Sequence, residues 1–161
     1  MIFVSGQGLA DCRLVDRRRL SAMLPNAPHT CGEDHSEVNA SLDAKSVLLA
    51  EDQFLIAMDT EHALLERGAA DVRVVPSIRD ALHLLESFRP DVAVLDFMLA
   101  DGTAAEVAEA LVALGVPFVF ATGFGDSVAI PAPYRHVPVV RKPYGIADLV
   151  ASLNAVVGRT D

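Results

Sequence analysis

From residue 45 onward the chain is built of short apolar runs, most of which close on a polar residue. Val47 to Ala50 leads into Glu51-Asp52, Val92 to Leu95 into Asp96, Phe118 to Ala121 into Thr122, and Val137 to Val140 into Arg141-Lys142. A further run, Val72 to Val75, ends on no polar group of interest. Runs this short, rich in Val, Leu and Phe and without strict alternation, predict strands buried on both faces of a parallel sheet. Helix-length stretches separate them. Ile78, Ala81, Leu82 and Leu85 recur at i, i+3, i+4 and i+7, as do Ile146, Leu149, Val150 and Leu153, so each set forms one apolar stripe that must pack on something. Ser77-x-x-Asp80 and Thr103-x-x-Glu106 predict capping-box starts, and Gly68 and Gly115 stand where helices should stop.

Strand and helix thus alternate five times, which predicts an α/β fold: a flavodoxin-like, doubly wound, five-stranded parallel sheet of order 2-1-3-4-5 with helices on both sides. In such sheets ligands bind outside the carboxyl ends of the strands, and all the polar termini fall on that edge. Glu51, Asp52 and Asp96 would bring three carboxylates together if the first and third strands are neighbours. Mutual repulsion in such a group calls for a cation, and oxygen ligands favour a hard one such as Mg²⁺. Lys142 supplies a compact positive charge suited to a phosphoryl group and is one of only two lysines, with Lys45. Thr122 offers a hydroxyl donor. A carboxylate nucleophile, already ionised, can hold a phosphoryl group as an acyl phosphate while metal, lysine and hydroxyl spread its charge. Duller readings stand beside this one: the acid pair as a cap of the first helix, Asp96 as a turn residue, Lys142 as a solvated strand end. Gly123-Phe124-Gly125 lacks the following Lys-Ser/Thr of a phosphate-cradling loop and reads as a turn.

An acid pair after the first strand, a lone Asp after the third, Thr after the fourth and Lys142-Pro143 after the fifth together resemble the receiver domain of bacterial two-component response regulators, over about residues 45 to 157. The resemblance implies that Asp96 accepts a phosphoryl group from a histidine kinase. It implies that Asp52, Asp96 and the backbone carbonyl of Met98 hold Mg²⁺ directly, with Glu51 acting mostly through water. Thr122 and Lys142 would contact the phosphoryl group, and the Lys142-Pro143 peptide would be cis. Pro117-Phe118-Val119-Phe120-Ala121-Thr122-Gly123-Phe124 further resembles the signature of the FAT GUY receivers, which implies a stand-alone receiver and an HWE-type kinase or a phosphotransfer protein as partner.

The chain departs from the common receiver pattern in places. Val139 stands where an aromatic switch residue is usual, and Ala100 replaces the Pro four residues after the phosphoacceptor. Pro131 and Pro133 predict that the fourth helix, between Gly125 and His136, is only a short turn followed by loop, and this face is expected to change most on phosphorylation. Met98 offers no amide or carboxylate to orient water, so slow hydrolysis of the acyl phosphate is expected.

Composition narrows the setting. A chain of 161 residues with 52% hydrophobic content can bury a sizeable core, and no apolar run approaches a membrane span. A formal net charge of -9 argues against a nucleic-acid surface and for a protein target. With no visible signal peptide, a cytoplasmic protein is expected. The chain is also expected to end with the fifth helix, leaving the receiver itself to pass on the signal. Residues 1 to 44 read as an irregular arm with one short helix from about Asp11 to Met23, and residues 45 to 161 as the receiver domain. Cys12, Cys31, His29 and His35 lie in the arm at spacings that match no strong zinc pattern.

The leading function is therefore a phosphorylatable switch or phosphoryl carrier, not an enzyme on small substrates. The alternative is a receiver-shaped adaptor that binds a kinase or regulator without phosphotransfer. A phosphatase or phosphotransferase commonly has a second Asp two residues after the nucleophile, where this chain has Met98.

Overall fold

The computed structural model describes residues 42–123 and 130–158. In chain order they form β1 (Ser46–Ala50), α1 (Phe54–Glu66), β2 (Asp71–Val75), α2 (Ile78–Leu85), β3 (Val92–Asp96), β4 (Met98–Leu99), β5 (Gly102–Thr103), α3 (Ala105–Leu114), β6 (Phe118–Thr122), a 3₁₀ turn (Ala132–Tyr134), β7 (Val139–Arg141) and α4 (Ile146–Val157). Five parallel strands make one sheet in the order β2-β1-β3-β6-β7, while β4 and β5 pair as a separate small hairpin. Numbered without the hairpin, this is the expected order 2-1-3-4-5. Among the described residues no helix is long and apolar enough to cross a membrane.

The continuous apolar runs are explained by two core layers. Leu48, Ala50, Ala93, Leu95, Phe118 and Phe120 face α2 and α3, whereas Val47, Leu49, Val92, Val94, Val119 and Ala121 face α1 and α4. Successive residues of one strand thus bury against opposite helix layers, so no position is left for a polar side chain until the strand ends. Leu42 is fully buried in the second layer. The predicted stripes also find their partners: Ile78 and Ala81 are buried from α2, and Leu149, Val150 and Leu153 from α4.

Local signals hold in some places and give way in others. Ser77 caps α2 as expected, its hydroxyl accepting from the Asp80 backbone N–H at 3.1 Å. The matching expectation for Thr103 fails. Thr103 is extended and pairs with Met98 across the hairpin, so the N-cap of α3 falls on Ala104 with no side-chain cap bond. Gly115 ends α3 in the left-handed conformation, φ 67°, which a residue without Cβ adopts at little cost. The last strand is trimmed at its start. Pro138 has no N–H for the ladder and Val137 N–H turns back to the Tyr134 carbonyl, so β7 begins at Val139 rather than Val137. The fourth helix is reduced, among the described residues, to the Ala132–Tyr134 turn. The remainder of that expected segment, 124–129, lies outside the described residues, as do the predicted arm helix and the Cys and His of residues 1–41.

Candidate functional site

The strand register brings the polar termini level with one another. Ala50 pairs with Leu95, Asp96 with Ala121, and Thr122 with Arg141, so Glu51, Asp96, Thr122 and Lys142 leave the same edge of four adjacent strands. The connections reverse direction between β1 and β3, and the crevice that reversal opens is where Glu51-Asp52 and Asp96 stand.

One acid of the pair is inside and the other outside. Glu51 is 2% exposed, and its N–H extends the β1–β2 ladder to the Val75 carbonyl. Its carboxylate accepts from the Gln53 N–H at 3.2 Å and from Lys142 Nζ. Asp52 is exposed, and among the described residues no hydrogen bond or ion pair engages it. The reading of the acid pair as a helix cap is not what the chain does: the N-cap of α1 is Gln53, which makes no side-chain cap bond.

Asp96 is 4% exposed and held from both oxygens. Oδ1 accepts from the Met98 N–H at 3.1 Å, and Oδ2 accepts from Lys142 Nζ at 2.5 Å. Lys142, 8% exposed, thereby sits between the two buried carboxylates. Its N–H donates to the Thr122 carbonyl at 2.7 Å, continuing the sheet, and the following Lys142-Pro143 peptide is cis. Thr122 ends β6 at the same edge and is 7% exposed, and among the described residues no hydrogen bond engages its hydroxyl.

Electrostatics follow from this burial. Desolvation pushes the Glu51 carboxyl above its ordinary range, against the pull of the Lys142 ammonium. Burial alone would lower Lys142, but Asp96 and Glu51 outweigh it and hold the ammonium above its usual value. One carboxylate oxygen from each of Glu51, Asp52 and Asp96 lies within 4.8 Å of the others. Three carboxylates against one ammonium leave the pocket negative, and the donors are all oxygen. That set fits a hard divalent cation of the Mg²⁺ type, which takes one or two carboxylates and keeps waters and open positions.

No protein-family model matches the chain. It is 31% identical over 121 residues to the transcriptional regulatory protein PdtaR of Mycobacterium tuberculosis, an overlap of 71% of this chain and 58% of PdtaR. The chain thus spans little more than half the length of the curated relative it matches. Among solved structures it superposes on SdrG from Sphingomonas melonis Fr1 with a TM-score of 0.58 and 37% identity, covering 70% of this chain and 95% of SdrG. It also covers all of a response regulator receiver protein from Sinorhizobium medicae, at a TM-score of 0.63, 23% identity and 75% of this chain. The chain belongs to the response regulator receiver family.

Glu51, Asp52, Asp96, Thr122 and Lys142 thus fall at this one edge of the receiver, and Met98 joins them through its backbone N–H. Two features escaped the sequence reading. The loop after Asp96 is a hairpin whose turn residue Asp101 accepts from the Ile78 N–H at 3.0 Å and the Arg79 N–H at 3.3 Å, capping α2 from a distance. Asp101-Gly102 in the sequence was the available turn signal, although the register puts the two turn positions one residue earlier, on Ala100 and Asp101. The second feature is the contact of Tyr144 with α1, for which spacing along the chain contains no signal.

Proposed function

We propose that this receiver is a phosphorylation switch in which Asp96 accepts a phosphoryl group from the phosphohistidine of a histidine kinase or phosphotransfer protein. A carboxylate oxygen of Asp96 forms the new bond to phosphorus as the phosphorus–nitrogen bond breaks, and the imidazole leaves with the electron pair and takes up a proton. Asp52, Asp96 and the Met98 carbonyl would hold Mg²⁺, with Glu51 acting through water; the ion would neutralise charge on the transferred group. Lys142 contacts one phosphoryl oxygen as a point charge, having released Asp96 Oδ2, and the Thr122 hydroxyl donates to another. The Pro117–Phe124 run supports a place among FAT GUY receivers and, with it, an HWE-type kinase as donor.

The observation that carries this reading is Lys142 bridging buried Glu51 and Asp96, with the exposed Asp52 carboxylate close to both and Thr122 at the same edge. A scaffold that only bound partners would have no use for so dense an acid group. A protein partner is supported by the first turns of α1, where Phe54 and Leu55 are 76% and 69% exposed. Incubation with acetyl phosphate or beryllofluoride and Mg²⁺, comparing wild type with Asp96→Asn, tests the proposal. Modification of wild type alone is the expected result. No response in either protein would leave the adaptor reading in its place.

A further inference from the structure

Tyr144 directly follows the cis Lys142-Pro143 peptide and is half-buried against the core layer shared by α1 and α4. Its hydroxyl lies 3.2 Å from the hydroxyl of Thr60, a buried residue in the middle of α1 and 84 positions away in the chain. A phenylalanine would bury the same ring, so packing does not require the phenolic oxygen. The bond joins the two segments that flank the pocket: β1–α1, with Glu51 and Asp52, and β7–α4, with Lys142. Like the Lys142 ammonium, it ties those two segments together through side chains. Burial pushes the phenol up, and the charges of Lys142, Glu51 and Asp96 also act on it, which places the hydroxyl within electrostatic reach of the pocket.

We propose that Thr60 and Tyr144 form a positioning pair that fixes the Lys142 loop against α1, so that the ammonium is delivered to Asp96 as well as to Glu51. Lys142 has a long stem, and its head is confined only if the backbone beneath it is confined. The Lys142 N–H ties the start of the cis-proline segment to β6, and the Tyr144 hydroxyl anchors it again two residues further on. A small displacement of a group that meets the transferred phosphoryl is costly to rate. This inference rests on the phosphoacceptor reading.

The test uses the full chain with Tyr144→Phe, Thr60→Val, the double variant and Thr60→Ser. Two quantities are measured: the rate of phosphorylation by acetyl phosphate at saturating Mg²⁺, and the nitrogen-15 resonance of the Lys142 side chain in metal-free protein, where Lys45 is the only other lysine. Tyr144→Phe and Thr60→Val are each expected to slow phosphorylation by about 3–10-fold and to shift the Lys142 resonance. The double variant should be no slower than either single one, because the pair acts as a unit. Thr60→Ser, which keeps the hydroxyl, should stay near wild type. Wild-type rates and an unmoved Lys142 resonance in the folded variants would overturn the proposal even if their melting temperatures fell. If wild type itself took no phosphoryl group, the phosphoacceptor reading would fail, and a shifted Lys142 resonance would still support the positioning pair.

Discussion

Replacing Lys142 by methionine keeps most of the stem and removes the ammonium from between two buried carboxylates. At 2.5 Å from Asp96 Oδ2, with an effective dielectric of about 20, the attraction is roughly 7 kcal/mol. Taking the ions out of water costs several kcal/mol each, so the native cluster adds little net stability. Removing one partner breaks that balance, because Glu51 and Asp96 keep their desolvation cost and lose what offset it. The expected loss is about 3–5 kcal/mol near neutral pH without metal, a large share of a total of about 5–15 kcal/mol. Two conditions should restore stability. Burial already raises the Glu51 carboxyl, and without Lys142 it rises further, so its ionised form is penalised; acidification into that raised range protonates it and relieves the penalty. Mg²⁺ should also restore part of the loss by supplying another cation. Urea unfolding at neutral and mildly acidic pH, with EDTA or with Mg²⁺, reads all of this. A Lys142→Met variant as stable as wild type at neutral pH without metal would refute the reasoning. Equal destabilisation under every condition would do the same, since it would assign the cost to packing of the stem.

Asp101→Ala should speed hydrogen exchange at the Ile78 and Arg79 amides relative to the rest of α2. The Ile78 N–H holds the Asp101 carboxyl below its usual 3.8, so its contribution is present above that value and disappears as pH falls through the lower folded one; unchanged exchange at those amides would count against the distant cap. Gly68→Ala should cost about 1–2 kcal/mol, because φ is 97°; the exposed Asp43 carboxylate, 2.2 Å from where a Cβ would stand, can swing aside. Gly115→Ala should cost less in the same chemical denaturation assay, since φ 67° falls within the small left-handed region open to L-residues and the nearest atom to its Cβ is Arg89 Nη2 at 3.8 Å. Met98→Asn would place an amide two residues after the proposed phosphoacceptor and should shorten the lifetime of the phosphorylated form, followed by loss of labelled phosphate; a wild-type lifetime already of the order of seconds would contradict the role given to Met98.

Much of this molecule could be read along the chain. A strand covered on both faces has no polar position until it ends, so the apolar runs marked β1, β3 and β6 and the polar residues closing them marked the pocket edge. The Ser77 cap was equally legible, because its partner is three residues away. Thr103 shows the limit of such local patterns: the same spacing failed once the chain on either side was drawn into a hairpin. Pro138 shows it too, since the missing N–H matters only where a neighbouring strand asks for one. Tertiary structure alone decided which acid of the pair is buried, that Lys142 bridges Glu51 and Asp96, and that Tyr144 meets Thr60. Periodicity is a property of neighbours within a turn or a strand. Contacts between residues 46, 84 and 91 positions apart depend instead on which strands lie side by side and in what register.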